Sequence, residues 1–158
     1  MAVLSATTRI NAPINRCFDL ARSIDLHVAA ALQTGERAIS GTTRGLIAIG
    51  EEVTWRARHF GFTWEMTSRI TRLDPPSFFQ DRMTAGPFAS FEHDHRFEEV
   101  AGVTLMRDEI RFRAPFGPAG VLVDLLILRP HLRRFLLRRN SRLRAVAESV
   151  DEWEQYVA

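Results

Sequence analysis

Two short turns in the middle of the chain constrain the fold more than any other feature, because they fix how the flanking strands pair. Apolar and polar residues alternate on both sides of the dipeptide FG at 60–61 and of the dipeptide AG at 101–102. A two-residue turn at 60–61 sets Trp55 opposite Met66 and pairs every other inward residue with an inward partner. The sequence therefore predicts antiparallel hairpins with one apolar, largely aromatic face.

Two histidines occupy positions on that inner face where apolar residues are usual. In the stretch FEHDHRF at 91–97, the phenylalanines mark the inner face, so alternation directs His93 and His95 inward as well. The turn at 101–102 sets His95 opposite Asp108 and His93 opposite an isoleucine. We expect the Asp108 carboxylate to contact His95 and raise its pKa, and the pKa of His93 to be lower unless Asp81 reaches it.

The predicted inner face combines aromatic and polar side chains. A chain break at 74–77 (DPPS) sets Asp81 opposite Ile70, and therefore inside. A packed core excludes unpaired polar groups, whereas apolar walls with a few converging polar groups are typical of a small-molecule pocket. The predicted face contains Trp55, Phe62, Trp64, Met66, Phe78 or Phe79, Phe91 and Phe112, together with His59, Asp81, His93, His95 and Asp108.

The remaining elements flank these hairpins. Local spacing predicts a strand at 3–10, a helix from Pro13, a second helix at 24–32 capped by Ser23, a weak strand at 36–40 and a long helical segment reaching residue 157. Pro130 is expected to kink or restart the long helix. Its apolar stripe comprises Leu132, Phe135, Leu136, Leu143, Val146, Ala147 and Val150, and Arg139 falls within it.

Residues 41–50 (GTTRGLIAIG) connect two predicted strands and contain three glycines. Glycine-rich connections run over the surface and often cover a site. We expect this loop to be the mobile lip of a cavity, with Leu46 and Ile47 exposed when the cavity is empty. For His27, close to the second helix cap, a surface position is favoured and a position at the cavity mouth is the alternative.

Length and composition indicate the class of protein. A chain of 158 residues with 46% hydrophobic and 25% charged residues fits a single globular domain over residues 1–158. The one cysteine, Cys17, excludes an internal disulfide, and its apolar helix face indicates packing. The first residues lack the basic start and apolar run of a secretory signal. These features predict a cytoplasmic protein and do not distinguish a monomer from a homodimer.

The basic residues are unevenly distributed. All 21 are arginines, and seven of them lie in residues 125–147, which contain no acid. Arg134, Arg138 and Arg142 lie away from the apolar stripe of the long helix. A solvated outer surface is the favoured interpretation, and contact with nucleic acid or an anionic membrane is the alternative.

The element order resembles the START-like, or SRPBCC, superfamily, and within it proteins described as polyketide cyclase/dehydrase-like. The resemblance covers nearly the whole chain and is carried by SIDLH at 23–27, GLIAIGEEVTW at 45–55, GPFASFEHDHRF at 86–97 and DEIRFRAPFGPAG at 108–120. It implies an α+β helix-grip fold: a curved antiparallel sheet of about seven strands around a long C-terminal helix, two short helices after strand 1, and a cavity between sheet and helix.

The residues and the resemblance favour binding of a small hydrophobic molecule, lipid-like or aromatic and polyketide-like, in that cavity. Expected contacts are Trp55, His59, Trp64, Met66, Asp81, Phe91, His93, His95, Asp108, Phe112 and Arg139. The alternative is an enzyme of the cyclase, dehydratase or hydrolase kind, with His95 as general base, Asp108 orienting it and His93 beside them. An HxH pair with Asp81 or Asp108 also occurs in metal sites, but HExxH and CxxC motifs are absent, so we predict no metal and no cofactor.

Overall fold

The computed structural model describes residues 1–158 and contains a seven-stranded antiparallel sheet. The strands are β1 (Ala2–Ile10), β2 (Arg37–Gly41), β3 (Glu52–His59), β4 (Phe62–Asp74), β5 (Phe78–Ala85), β6 (Ser90–Val100) and β7 (Val103–Arg113). Their order is β1-β7-β6-β5-β4-β3-β2. Strands β2 to β7 therefore form a continuous meander, and β1 lies at the edge beside β7.

The helices precede β2 and follow β7. They are α1 (Ile14–Ala21), α2 (Ile24–Ala30), a 3-10 turn (Leu32–Thr34), α3 (Gly117–Val123), a π-helical segment (Asp124–Leu128), α4 (Arg129–Ala147) and α5 (Glu154–Val157). The hydroxyl of Ser23 accepts the Leu26 N–H and caps α2, as predicted. Helix α4 packs against β1, α1 and α2, which confirms the helix-grip fold. No helix is both long and apolar enough to cross a membrane.

Both predicted hairpin registers are confirmed. Trp55 pairs with Met66 across the first turn, and His95 pairs with Asp108 across the second. Backbone φ is positive at both central residues of each turn, 53° and 78° at positions 60 and 61, and 52° and 77° at positions 101 and 102. Such two-residue turns match the twist of the flanking strands and hold their register.

The buried apolar side chains form two clusters between the sheet and the helices. The larger contains 18 residues, among them Phe18 of α1, Phe97 of β6 and Val146 of α4. The smaller consists of Leu4, Phe91, Ile110, Phe112 and Leu136. Cys17 belongs to the larger cluster, and burial raises the pKa of its thiol to about 11, so it packs as predicted.

The C-terminal helix restarts beside Pro130 as predicted but ends earlier than predicted. The helical segment is interrupted by π-helical geometry just before Pro130, a residue that cannot donate a backbone hydrogen bond. It also ends at Ala147 instead of continuing to residue 157, and Val150 is 95% exposed. Including Val150 in the apolar stripe was wrong, because the chain leaves the helix before reaching it.

The expectation that Leu46 and Ile47 are exposed in the loop at residues 41–50 is also wrong, whereas the mobility of the loop stays a prediction. Ile47 is 4% exposed and belongs to the larger cluster, while Leu46 is half-buried. The Gly45 N–H donates to the Asp25 carboxylate at 2.7 Å, which holds the loop against the start of α2. Ile47 lines the cavity, so the loop forms part of the cavity wall.

Candidate functional site

A cavity of about 500 Å³ lies between the inner face of the sheet and helix α4. Of its 35 lining residues, 22 are hydrophobic. The chain has five histidines and all of them line this cavity: His27, His59, His93, His95 and His131. The cavity is therefore mainly apolar, with its titratable groups concentrated at a few points of the wall.

Exposed apolar residues of the β3–β4 turn and of residues 115–128 line the cavity and form its entrance, beside the half-buried Pro87 and Phe88. Phe60, Phe62 and Phe116 line it and are 53%, 68% and 63% exposed. Trp64, predicted to lie inside, is 41% exposed, and its indole N–H donates to the His59 carbonyl. The last residues of the β3–β4 inner face thus extend beyond the core and form the rim.

Two histidines and two aspartates from β5, β6 and β7 form a compact group at the cavity wall, called here the His–Asp group. His95 Nδ1 lies 3.0 Å from Asp108 Oδ1, and His95 Nε2 lies 3.1 Å from Asp81 Oδ2. His93 Nε2 is hydrogen-bonded to Asp108 Oδ1 at 2.9 Å, and His93 Nδ1 lies 3.9 Å from Asp81 Oδ2. Each imidazole therefore lies between two carboxylates.

The predicted contact of His95 with Asp108 is present, but the expectation that His93 lacks this partner is wrong. Residue 93 faces an isoleucine directly, yet its imidazole reaches diagonally to Asp108, two positions along β7. Asp81 stands directly opposite His93 on β5. The two rings lie with centroids 3.7 Å apart and share both carboxylates.

Asn140 of α4 is a member of this arrangement that sequence reasoning missed. Its Nδ2 donates to Asp108 Oδ2 at 2.7 Å, and both side chains are almost fully buried. The signal existed, because Asn140 lies four residues after Leu136 and three before Leu143, on the apolar face of the helix. A polar residue at such a position needs a buried partner, and Asp108 is that partner.

Burial disfavours the charged form of every member of the His–Asp group. A member is therefore charged only where a contact with an oppositely charged partner outweighs the cost of burial. Burial raises the pKa of Asp108 and Asp81, but their contacts with the histidines outweigh this and hold the pKa of both carboxyls low. Burial lowers the pKa of His95, but Asp108 and Asp81 outweigh it and raise that pKa, against the charge of Arg139. Burial and the charge of His95 lower the pKa of His93 to about 4.

We expect the stability of the protein, measured with EDTA present, to be greatest near pH 6.5. The pKa of His95 is raised above 6.5 in the folded protein. Its contribution to the free energy of unfolding is therefore complete below pH 6.5 and is lost as pH rises through the folded-state pKa. His93 has a pKa lowered from 6.5 to about 4, so its contribution is lost as pH falls through this range. At about pH 5 the loss from His93 is about 2 kcal/mol, or about 4 to 8 °C in Tm.

Differential scanning calorimetry over this pH range measures both limbs of the profile. In His93→Gln the acidic limb should become shallower, because the amide retains a donor toward Asp108 without a titratable ring. A Tm that stays constant or rises between pH 6.5 and 4 would show that His93 does not change its protonation on unfolding as its lowered pKa requires.

A second polar group lies beside α2. The His27 ring stacks on Trp55 with centroids 4.1 Å apart and is hydrogen-bonded to Glu36. Burial raises the pKa of the Glu36 carboxyl, but the contact with His27 outweighs this, and the pKa is lowered. The prediction of a surface position for His27 is wrong, because its side chain is only 17% exposed and lines the cavity.

His59 and His131 form a third group near the entrance. His59 Nδ1 and His131 Nε2 are 3.0 Å apart, and burial is the main cause that lowers the pKa of both. Two neutral imidazoles at this distance form one hydrogen bond, with one ring donating and the other accepting. His131 was missed, although it precedes Phe135 and Arg139 at four-residue helical spacing, and all three line the cavity.

The other predicted contact residues divide into two sets. Phe112 and Asp108 do not line the cavity: Phe112 is fully buried in the smaller cluster, and Asp108 lies behind the two histidines. Arg139 does line it, and its guanidinium donates to the Ala21 carbonyl. The predicted residues that line the cavity are Trp55, His59, Trp64, Met66, Asp81, Phe91, His93, His95 and Arg139.

Two arginines on the outer face of α4 contact other side chains of the same chain. Arg142 forms an ion pair with Glu152, and Arg138 donates to the side chain of Gln33. Arg134 is exposed. Two of the three arginines considered for phosphate contact are therefore already paired within the chain.

The fold and its internal cavity define a helix-grip protein of the START-like type. The family described as "Polyketide cyclase / dehydrase and lipid transport" matches residues 1–148, and the chain belongs to this family. No curated protein matches its sequence.

Solved structures confirm the fold at low sequence identity. The protein TTHA0849 from Thermus thermophilus superposes with a TM-score of 0.71 at 14% identity, over 92% of this chain and 99% of that one. Major latex-like protein 151 from Panax ginseng gives 0.65 at 15% identity, over 94% and 98%. The di-domain ARO/CYC BexL of the BE-7585A biosynthetic pathway gives 0.68 at 17% identity, over 94% of this chain and 48% of that one.

Proposed function

We propose that the protein binds a small hydrophobic molecule, lipid-like or aromatic and polyketide-like, in the cavity between the sheet and α4. The observation that carries this proposal is the composition of the cavity wall: mostly apolar side chains around about 500 Å³, with polar groups at a few points. Small-molecule sites have volumes of roughly 300 to 1,000 Å³ and this kind of lining. The family description, which names both cyclases and lipid transport, supports the same ligand classes.

The apolar part of the ligand would contact Trp55, Met66 and Phe91, which line the cavity on three different strands. The exposed aromatic residues at the rim would form its path of entry. Because these contacts are not directional, they favour hydrophobic ligands as a class and do not select one shape.

The polar part of the ligand would contact the His–Asp group and Ser68. The Asp81 carboxylate, 20% exposed and lining the cavity, would accept a charge-assisted hydrogen bond from a ligand hydroxyl. The Ser68 hydroxyl is buried, lines the cavity and has no hydrogen-bond partner within the protein. A ligand with an oxygen function would satisfy this group, whose burial without a partner is unfavourable.

Acid–base catalysis on the bound molecule is a second candidate, favoured by the position of His95 between two carboxylates. Because Asp81 and Asp108 favour the imidazolium, His95 would act first as an acid, whereas the sequence suggested a base. A reaction abolished in His95→Gln, with binding of an apolar molecule retained, would distinguish catalysis from binding alone.

Native mass spectrometry of the protein purified from the organism that encodes it tests the proposed function. We expect one noncovalent adduct per chain, with the mass of a small apolar molecule, that organic solvent releases. Chromatography of the released molecule then identifies its class. Spectra that contain only the unliganded chain, with no adduct after addition of fatty acids or polycyclic aromatic compounds, would contradict the proposal.

A further inference from the structure

Three side chains of the His–Asp group direct metal-ligand atoms toward one point at the cavity wall. Asp81 on β5 stands directly opposite His93 on β6, and His95 lies two residues further along on the same face. Asp81 Oδ2 is 3.1 Å from His95 Nε2 and 3.9 Å from His93 Nδ1. One ligand atom from each of the three residues lies within 4.8 Å of the other two.

These separations are close to those of ligands around a small cation. Nitrogen and oxygen ligands at about 2.1 Å from a metal lie about 3.0 to 3.4 Å from one another in octahedral or tetrahedral geometry. The contact between Asp81 and His95 already has this spacing. His93 Nδ1 needs to approach Asp81 by only a few tenths of an ångström more, which a small rotation of the ring supplies.

The remaining nitrogen of each ring meets a second carboxylate on the other side. Asp108 Oδ1 lies 2.9 Å from His93 Nε2 and 3.0 Å from His95 Nδ1. When these nitrogens carry the hydrogens, His93 Nδ1 and His95 Nε2 present lone pairs toward Asp81. For His93 the contact with Asp108 is a hydrogen bond, which is the arrangement of metal-bound histidines whose outer N–H is held by a carboxylate. For His95 the two atoms are close but are not aligned as a hydrogen bond.

Asp108 is in turn fixed by α4, since Asn140 donates to its other oxygen at 2.7 Å. The outer carboxylate is thus fully buried and bonded on both oxygens. Asp81 is more accessible, with 20% of its side chain exposed, and it lines the cavity together with His93 and His95. Three ligands on one side leave the coordination positions on the cavity side open.

We propose that Asp81, His93 and His95 form a binding site for a divalent first-row transition-metal ion, with Asp108, held by Asn140, as the outer carboxylate that orients His93 and lies beside His95. Two imidazoles with one carboxylate are a ligand set for Zn²⁺ and for Fe²⁺. The open positions would accept a ligand oxygen from the cavity. The site goes beyond the proposed function, because it can be tested with the metal alone and without any organic ligand.

The test is titration of the full chain, first freed of metal with a chelator, with Zn²⁺ by isothermal titration calorimetry and with Co²⁺ by visible absorption. We expect one ion per chain. Asp81→Asn should weaken Zn²⁺ affinity at least 100-fold, because the amide is a neutral and poor metal ligand. Asp108→Asn should keep the stoichiometry of one and weaken the affinity about 10- to 100-fold, as loss of an outer carboxylate does.

Asp94→Asn is the matched control, because this buried aspartate lies between the two histidines in sequence but points to the opposite face of the sheet, where Gln80 bonds it. Its Zn²⁺ affinity should equal that of the wild type. The proposal is overturned if no ion binds, or if Asp81→Asn binds Zn²⁺ as the wild type does. It is also overturned if the affinity is lost in His131→Gln instead, since that places the ion at the His59–His131 pair.

Discussion

Asp108→Asn is expected to lower the free energy of unfolding by about 3 kcal/mol or more, which corresponds to about 6 to 12 °C in Tm. The amide has the volume of the carboxyl and can still accept a hydrogen bond from Asn140. However, it leaves the protonated His95 with Asp81 as its one remaining carboxylate partner. It also directs an NH₂ or a neutral oxygen at two rings that a carboxylate held together.

Glu109→Gln is the matched control for this substitution. It removes the same charge from the next residue of β7, but Glu109 points to the outer face, its side chain is 44% exposed, and it pairs with Arg111. An exposed ion pair of this kind contributes less than about 1 kcal/mol. Urea unfolding of the two variants measures the difference, and equal losses would contradict the central position of Asp108 in the buried network.

NMR titration of the imidazole signals gives a second readout of Asp108→Asn in the folded protein. Asp108 is one of the two carboxylates that raise the pKa of His95, so this pKa should fall in the variant. The stability maximum should lose part of its alkaline limb for the same reason. If His95 titrates at the same pH in both proteins, its contact with Asp108 does not govern its charge.

The register of the sheet could be predicted from the sequence because a turn and an alternating pattern give two independent constraints. A slip of one residue would turn Trp55 and Met66 outward and expose an entire apolar face. The placement of Asp81, His93 and His95 on the inner face followed from the same argument. The hydrogen bond from His93 to Asp108 was not predicted, because only directly opposite residues were paired. A long side chain also reaches its diagonal neighbours on the adjacent strand.

The boundary between core and cavity could not be predicted, because alternation shows the face of a strand but not what covers it. Phe91 and Phe112 face each other across β6 and β7, yet only Phe91 lines the cavity. Trp64 follows the inward pattern and is still 41% exposed, with its indole N–H bonded to the His59 carbonyl beside the β3–β4 turn. These outcomes depend on the position of the helix over the sheet.

The burial of Ile47 could not be predicted from the glycines of the loop at 41–50. The backbone φ is positive at Gly41, Gly45 and Gly50, so the chain can turn tightly enough to place Ile47 in the core. Nothing local in the sequence shows that Asp25 holds this loop, since the two are 20 residues apart. The entrance lies at the rim formed by the β3–β4 turn and residues 115–128.

Ala57→Trp is expected to abolish most of the binding of a small apolar molecule, with an affinity loss of at least about tenfold, or about 1.4 kcal/mol. Ala57 is buried on β3 between Trp55 and His59 on the inner face, and it lines the cavity. An indole at this position projects into the space of about 500 Å³ that the ligand would occupy. Met66→Trp, on the facing strand, is a second occluding variant if the first does not fold.

Arg58→Trp provides the control, because it introduces the same indole one residue away on the opposite, exposed face of β3. It should bind the apolar molecule as the wild type does. The choice of a neutral molecule matters, since an anionic probe would also be attracted to the arginines of α4.

The most direct test of an internal apolar binding site is a fluorescence titration of wild type, Ala57→Trp and Arg58→Trp with the neutral probe N-phenyl-1-naphthylamine. We expect saturable binding of one probe per chain in wild type and Arg58→Trp, and an affinity at least about tenfold lower in Ala57→Trp. Equal probe affinity in all three proteins, with Ala57→Trp shown to be folded by circular dichroism, would contradict it, because the probe would then bind outside the cavity.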